Sequence, residues 1–156
     1  MDLTALISEH GIYAGTFLYC LISGVVPVLN TEAFLVGVSL LAPRANLYAV
    51  WGLATAGHLG GKVLLYFVGQ GAIHIPSRRI HRSLEKIRNK FSDFKRGVAA
   101  TVFLSAFIAV PPFYPVTLLA GSVGVSLATY LLPAAVGLAA RFGLLLFFPQ
   151  AVKAIF

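Results

Sequence analysis

Charged residues are scarce in this chain of 156 residues. Only 11% of them are Asp, Glu, Lys or Arg, whereas soluble proteins contain roughly 25%. In contrast, 58% of the residues are hydrophobic, and the mean hydropathy is +0.87. This composition excludes an ordinary soluble domain. It predicts one all-α integral membrane domain over residues 1–156, with a few spans of ~20 residues each.

Cysteine and acidic residues are also rare. Cys20 is the one cysteine, which excludes a disulfide framework and a cysteine-based metal site. The four histidines show no metal-ligand spacing, and no nucleophile lies beside a base. We therefore expect no metal, no cofactor and no enzymatic activity. Asp2 and Glu9 come with no Lys or Arg near them, unlike the basic start of a signal peptide, so we expect a mature N-terminus.

Basic residues are frequent in one segment only. Eight of the twelve Lys and Arg residues fall within residues 76–96, where apolar residues recur at helical spacing. This pattern predicts an amphipathic helix on the cytoplasmic leaflet of a membrane, by the positive-inside rule. A solvated loop helix is the alternative. We expect contact with anionic lipid headgroups, and not with nucleic acid, from Arg78, Arg79, Arg82, Lys86 and Lys90.

One carboxylate lies in the apolar first third of the chain. Glu32 falls between Pro27, which interrupts helices, and Gly37, which permits a turn or close packing. The sequence therefore predicts an N-terminal helix over residues 3–22. A broken, re-entrant hairpin over residues 23–42 follows it and holds a functional acid within the membrane.

A second hairpin is predicted in the uncharged second half. The interrupting residues there are Pro111, Pro112, Pro115 and Gly121, which make a continuous helix improbable and favour a re-entrant hairpin over residues 99–121.

Two full spans complete the predicted architecture. Residues 45–70 form the first and contain His58 and Lys62. Residues 130–150 form the last, with Arg141 near its middle.

The two hairpins match each other in spacing. Ten residues separate Pro27 from Gly37, and ten separate Pro111 from Gly121. Each hairpin precedes one span, and a single cytoplasmic segment joins the halves, so the halves have opposite orientations. This is the inverted-repeat plan of secondary transporters. Non-helical backbone at membrane depth needs a protein-lined or watery cavity, so a central cavity follows.

Longer motifs resemble a known family. The first half contains Pro27-Val-Leu-Asn-Thr-Glu32, Pro43-Arg44-Ala and Gly57-His-Leu-Gly60-Gly-Lys-Val-Leu-Leu-Tyr66-Phe-Val-Gly69. The second contains Val110-Pro-Pro-Phe-Tyr-Pro115, Ala120-Gly121, Tyr130, Gly137 and Arg141. From residue 25 to residue 148 the chain resembles the DedA family, also called VTT-domain or SNARE-associated membrane proteins, and especially its compact branch.

That resemblance implies lipid movement across a membrane. The family is associated with recycling of polyprenyl-phosphate carriers in bacteria and with phospholipid scrambling in eukaryotes, so we expect a protein of the bacterial cytoplasmic membrane. Glu32 matches the family's hairpin acid. Phe107 and Phe113 replace arginines of larger members, and Val116-Thr117 replaces a basic residue of the compact branch.

The remaining cationic candidates are Arg141, Lys62 and His58, and each has two readings. Arg141 binds an anionic headgroup or forms a structural pair with Glu32. Lys62 binds a ligand or extends to the cytoplasmic end of its span. His58 relays protons or packs between helices. Glu32 itself carries protons or lies at an aqueous rim.

Three functions are compatible with these residues. The first is a lipid translocase, either flippase or scramblase, in which anionic headgroups meet Arg141 and Lys62 while Glu32 changes protonation. The second is a proton-coupled exchanger of ions or small solutes that uses Glu32 and His58. The third is a non-transporting membrane organiser whose basic helix recruits lipid or a partner protein.

Overall fold

Helices are the regular secondary structure of the described part of the chain. A computed structural model describes residues 3–42, 45–71 and 94–155, with side chains for 11–42, 45–71 and 97–149. These residues contain no strand and confirm the all-α class. The helices are α1 (Leu3–Val25), α2 (Thr31–Leu41), α3 (Leu47–Gly69), α4 (Phe94–Ile108), α5 (Phe113–Ser122) and α6 (Leu127–Ile155). The predicted headgroup contacts Arg78, Arg79, Arg82, Lys86 and Lys90 lie outside the described residues.

The first helical break lies at Pro27. Helix α1 ends at Val25, and α2 begins at Thr31 after a turn that contains the proline. Asn30 caps α2, because its side-chain oxygen accepts a hydrogen bond of 3.0 Å from the amide of Ala33. This cap places Glu32 in the first turn of α2, where the helix dipole favours a negative charge.

The second break lies at Pro111 and Pro112. Helix α4 ends at Ile108, and the hydroxyl of Ser105 in its last turn donates a hydrogen bond of 2.7 Å to the carbonyl of Pro111. Helix α5 begins directly after Pro112. Pro115, predicted as a third breaking residue, lies in the first turn of α5, where a missing amide hydrogen removes no intrahelical bond.

The two glycines of the predicted hairpins occupy different environments. Gly37 lies inside α2 and does not interrupt it, since the helix continues to Leu41 and no atom lies within 4 Å of its Cβ position. Gly121 lies in the last turn of α5, and a Cβ there would collide with the carbonyl oxygen of Tyr66. Gly37 is therefore not a break, and Gly121 serves close packing.

The helices form two compact units. The first unit comprises residues within 1–61 and 138–156, and the second comprises residues within 62–137. In the first unit, Gly24 and Gly61 bring α1 and α3 together, and a Cβ at Gly57 would lie 2.5 Å from the carbonyl oxygen of Phe17. The small residues of α3 thus allow direct backbone contact.

The second unit uses the same kind of contact. Gly69 of α3 leaves no room for a Cβ beside the carbonyl of Leu118, and Gly121 leaves none beside Tyr66, so α3 and α5 pack backbone to backbone. Gly137 of α6 similarly packs against Phe103 of α4. The contacts at Gly69 and Gly121 fix the second half of α5 against α3.

One described segment has the length and apolarity to cross a membrane. It is Leu127–Pro149, with 23 residues and a hydropathy of 2.0, and it contains Arg141. Helix α3 is equally long at 23 residues, but His58, Lys62 and its glycines lower its hydropathy. Membrane crossing by residues 45–70 therefore stays a prediction.

Candidate functional site

Glu32 and Arg141 form an ion pair in the first unit. The Nη2 atom of Arg141 on α6 donates a hydrogen bond to the Oε1 atom of Glu32 on α2. The Arg141 side chain is 21% exposed and that of Glu32 is 49% exposed, so the guanidinium is the more enclosed partner. Of the two interpretations of Arg141, the structure therefore shows the ion pair with Glu32.

The pair takes up the available negative charge. Over residues 11–42, 45–71 and 97–149, where side chains are described, Glu32 is the single carboxylate, and Lys62 and Arg141 are the Lys and Arg residues. Once Glu32 is paired with Arg141, this part of the chain holds no carboxylate for Lys62. The described interior therefore carries an excess positive charge.

A chain of hydrogen bonds lies next to the ion pair in sequence. Thr31, which precedes Glu32, donates a hydrogen bond of 2.8 Å to the hydroxyl of Ser23, and Ser23 donates one of 2.9 Å to the carbonyl of Cys20. The Ser23 oxygen also lies 3.2 Å from Nδ1 of His58. We call Ser23, Thr31 and His58 the hydroxyl–imidazole cluster.

Proton counting assigns the roles in this cluster. A hydroxyl has one hydrogen, and that of Ser23 goes to the carbonyl of Cys20. Ser23 therefore accepts from Thr31 and also from Nδ1 of His58, which places a hydrogen on Nδ1. The His58 ring also meets Phe142 edge-on at 5.5 Å, so this histidine is packed as well as hydrogen bonded.

Lys62 lies in the second unit among aromatic rings. Its residue is only 4% exposed, and its Nζ lies 5.2 Å from the ring centroid of Phe113 and 5.5 Å from that of Tyr114. Its ammonium therefore lies among protein side chains in this unit. Two such rings contribute about 1–2 kcal/mol, less than the several kcal/mol that removal of an ammonium from water costs.

Aromatic packing holds the start of α5 in place. Phe113 and Tyr130 stack with ring centroids 6.3 Å apart, and Tyr130 stacks on Tyr66 at 5.4 Å. The Tyr130 hydroxyl lies 2.8 Å from that of Thr117, and the Tyr66 hydroxyl donates a hydrogen bond to the carbonyl of Val125. Phe113 therefore has a defined position beside Lys62.

The sequence-predicted residues are thus distributed over both units. Glu32, Arg141 and His58 lie in the first unit, and Lys62 lies in the second. No group of three or more His, Cys, Asp or Glu side chains suited to a metal occurs in the described residues. The sequence analysis missed the roles of Ser23 and Thr31. Their signal was a pair of small hydroxyl residues flanking Pro27 within an apolar stretch.

Comparison with known families gives a match. The family model of the VTT domain matches residues 26–150, a range that contains both helical breaks, Glu32, Lys62 and Arg141. Comparison with curated proteins gives no match, and neither does comparison with solved structures.

Proposed function

This chain belongs to the VTT-domain family, and on that premise we propose that it is a membrane transporter that translocates lipids with anionic headgroups. The family match confirms the resemblance to DedA proteins seen in the sequence. The observation that carries the proposal is the ion pair between Glu32 and Arg141. The proposed partners are membrane lipids and protons. The proposal includes neither nucleic-acid binding nor enzymatic activity.

The pair suits exchange with an anionic ligand. A charged arginine within an apolar helix costs ~2.5–3.5 kcal/mol on insertion scales, so Arg141 needs an anionic partner. A phosphate group can replace a carboxylate there, because the planar guanidinium binds both with two parallel hydrogen bonds. Glu32 is the more exposed member and is therefore the one that moves away when a headgroup binds.

Displacement of Glu32 links the exchange to protons. A carboxylate that loses its cationic partner in apolar surroundings is more stable when protonated. Headgroup binding to Arg141 would therefore favour proton uptake by Glu32, and headgroup release would favour proton loss. The hydroxyl–imidazole cluster includes Thr31, the residue before Glu32, and supplies hydrogen-bonding groups near it in the chain.

The helix order supports a transporter with two re-entrant hairpins. Helices α2 and α5 have 11 and 10 residues. At 1.5 Å per residue both are roughly half as long as the ~30 Å of a hydrocarbon core. Each follows a proline break and precedes a helix of at least 23 residues, so the order α1–α2–α3 repeats as α4–α5–α6. We place this inverted repeat in a bacterial cytoplasmic membrane, with residues 76–96 on the cytoplasmic side.

Reconstitution tests the proposal directly. The purified protein is placed in liposomes with a fluorescent phospholipid, or with a polyprenyl-phosphate reporter, and lipid movement is followed against empty liposomes. We expect Glu32→Gln and Arg141→Gln to reduce translocation to the empty-liposome rate. Arg44→Gln removes one positive charge, as Arg141→Gln does, but from another part of the chain, and it serves as the control. Unchanged rates in both pair variants would refute the proposal.

A second candidate, a proton-coupled exchanger of small solutes, is favoured by the hydroxyl–imidazole cluster. In the same vesicles a pH jump with an internal pH dye measures proton flux. Proton flux that depends on Glu32 and His58, without lipid movement, would favour the exchanger. A non-transporting organiser would give neither signal and would keep its cellular function after Glu32→Ala.

A further inference from the structure

Lys62 lies beside two residues at the start of α5, Phe113 and Tyr114. We infer that Lys62 and the N-terminus of α5 bind the phosphate group of a phosphomonoester or phosphodiester. The inference rests on the proposed function in one respect, since it names where a transported headgroup would bind besides Arg141. Binding itself can be measured without transport.

The first observation is a buried cation without a protein anion. Lys62 is only 4% exposed, and its Nζ lies over the rings of Phe113 and Tyr114. Among the residues with described side chains, the sole carboxylate belongs to Glu32 and is bound to Arg141. Aromatic rings alone do not offset the loss of water around an ammonium, so Lys62 calls for an anionic ligand.

The second observation is a helix N-terminus that no side chain caps. Helix α5 has 10 residues, and its cap residue Pro112 makes no side-chain hydrogen bond. The amides of Phe113 and Tyr114 have no acceptor within the helix, whereas Pro115 has no amide hydrogen. Two N–H donors and the positive end of the helix dipole are therefore available to a ligand.

The two observations concern the same place. Phe113 and Tyr114 supply both the free amides and the rings that lie within 5.5 Å of Lys62 Nζ. Close contact through Gly69 and Gly121 fixes α3 and α5, so the ammonium cannot move away by sliding of the helices. An ammonium and the positive end of a dipole repel each other unless an anion lies between them.

The donors indicate the class of ligand. One ammonium and two amides suit a tetrahedral phosphate, whose several oxygens accept hydrogen bonds from different directions. The same positive charge disfavours a quaternary ammonium, so a headgroup that carries phosphate alone fits this site better than a zwitterionic one. Free phosphate and a lipid phosphate share this chemistry, and the experiment separates them.

The test uses the full chain in detergent, labelled with ¹⁵N. Inorganic phosphate and short-chain phosphatidic acid are titrated separately, and the amide signals of Phe113 and Tyr114 are followed. We expect saturable shifts in the native protein, at least about tenfold weaker binding in Lys62→Gln, and near-native binding in Lys62→Arg, because one charge-assisted contact is lost only in the former. Lys153→Gln removes the same charge from another part of the chain and is the control.

The outcomes are distinct. Tighter binding of phosphatidic acid than of phosphate would support a lipid ligand, and the reverse would support a free anion. Absence of shifts, or equal affinity in Lys62→Gln and native protein, would overturn the inference. A thermal melt and Lys62→Met guard against loss of folding in the glutamine variant.

Transport provides the comparison with the proposed function. If native protein translocates lipid but shows no Lys62-dependent binding, the phosphate site is refuted and the translocase stands. If binding depends on Lys62 but lipid moves at the empty-liposome rate, the translocase is refuted and the site stands.

Discussion

The guanidinium of Arg141 donates a hydrogen bond to the carboxylate of Glu32, which lies 109 residues earlier in the chain. The contact joins α2 to α6 within the first unit, and it is the only ion pair among the described residues. Because Arg141 is more enclosed than Glu32, we expect removal of the two charges to change the free energy of unfolding by different amounts. Their inequality can be measured.

Removal of either charge is expected to destabilise the protein, and Glu32→Gln more than Arg141→Gln. The former leaves an enclosed guanidinium without its anion and should cost about 1–3 kcal/mol, less than a fully buried pair because Glu32 is half-exposed. The latter leaves an accessible carboxylate and should cost about 1 kcal/mol or less. Unfolding in detergent gives both values. The double variant should cost less than the sum, and additive costs would contradict a direct interaction.

The two hairpin glycines give a matched comparison. Gly121→Ala is expected to destabilise the protein by about 1–3 kcal/mol, because its Cβ meets the backbone of Tyr66 and forces α5 away from α3. Gly37→Ala is expected to stabilise α2 by up to about 1 kcal/mol, since alanine is the better helix former and space is available. Thermal melts measure both. A stable Gly121→Ala variant would refute the close packing.

Prolines and isolated charges were the informative features of the sequence. The breaks near Pro27 and Pro111 follow from chemistry, because proline lacks an amide hydrogen and its ring clashes with the preceding turn. Glu32 and Arg141 were found because a charge in an apolar stretch needs a partner. With so few charges, their pairing was one of the few arrangements available.

Side-chain direction could not be predicted in the same way. Gly37 and Gly121 have equal spacing from a proline, yet an added Cβ would meet another helix at Gly121 and open space at Gly37. Lys62 is directed at Phe113 and Tyr114, which no sequence pattern indicates. Helices that are apolar on every face give no periodicity that tells which face is buried. For Lys62, the direction of the side chain follows from the packing of α3 against α5.

The hydroxyl of Ser23 is expected to matter more than that of Thr31. Ser23→Ala removes the acceptor of the Thr31 hydrogen bond and leaves a buried hydroxyl unsatisfied, at about 1–3 kcal/mol. Thr31→Val should cost less, and added to Ser23→Ala it should restore part of the stability, because the Thr31 hydroxyl is then gone while the contact between Ser23 and His58 Nδ1 stays lost. Thermal melts test this order. Ser122→Ala, which removes a bond within one helix, is the control, and an additive double variant would contradict the bond.

Cys20 makes opening of the first unit measurable. It is the sole cysteine of the chain and is fully buried, so native protein in liposomes should react slowly with N-ethylmaleimide, and protein denatured in SDS should react quickly. Glu32→Gln removes the pair that holds α2 to α6, so local opening becomes more frequent and labelling should rise severalfold. Arg44→Gln should label at the native rate. If Glu32→Gln also labelled at the native rate, the ion pair would not hold the first unit closed, and headgroup exchange at Arg141 would have to proceed without such opening.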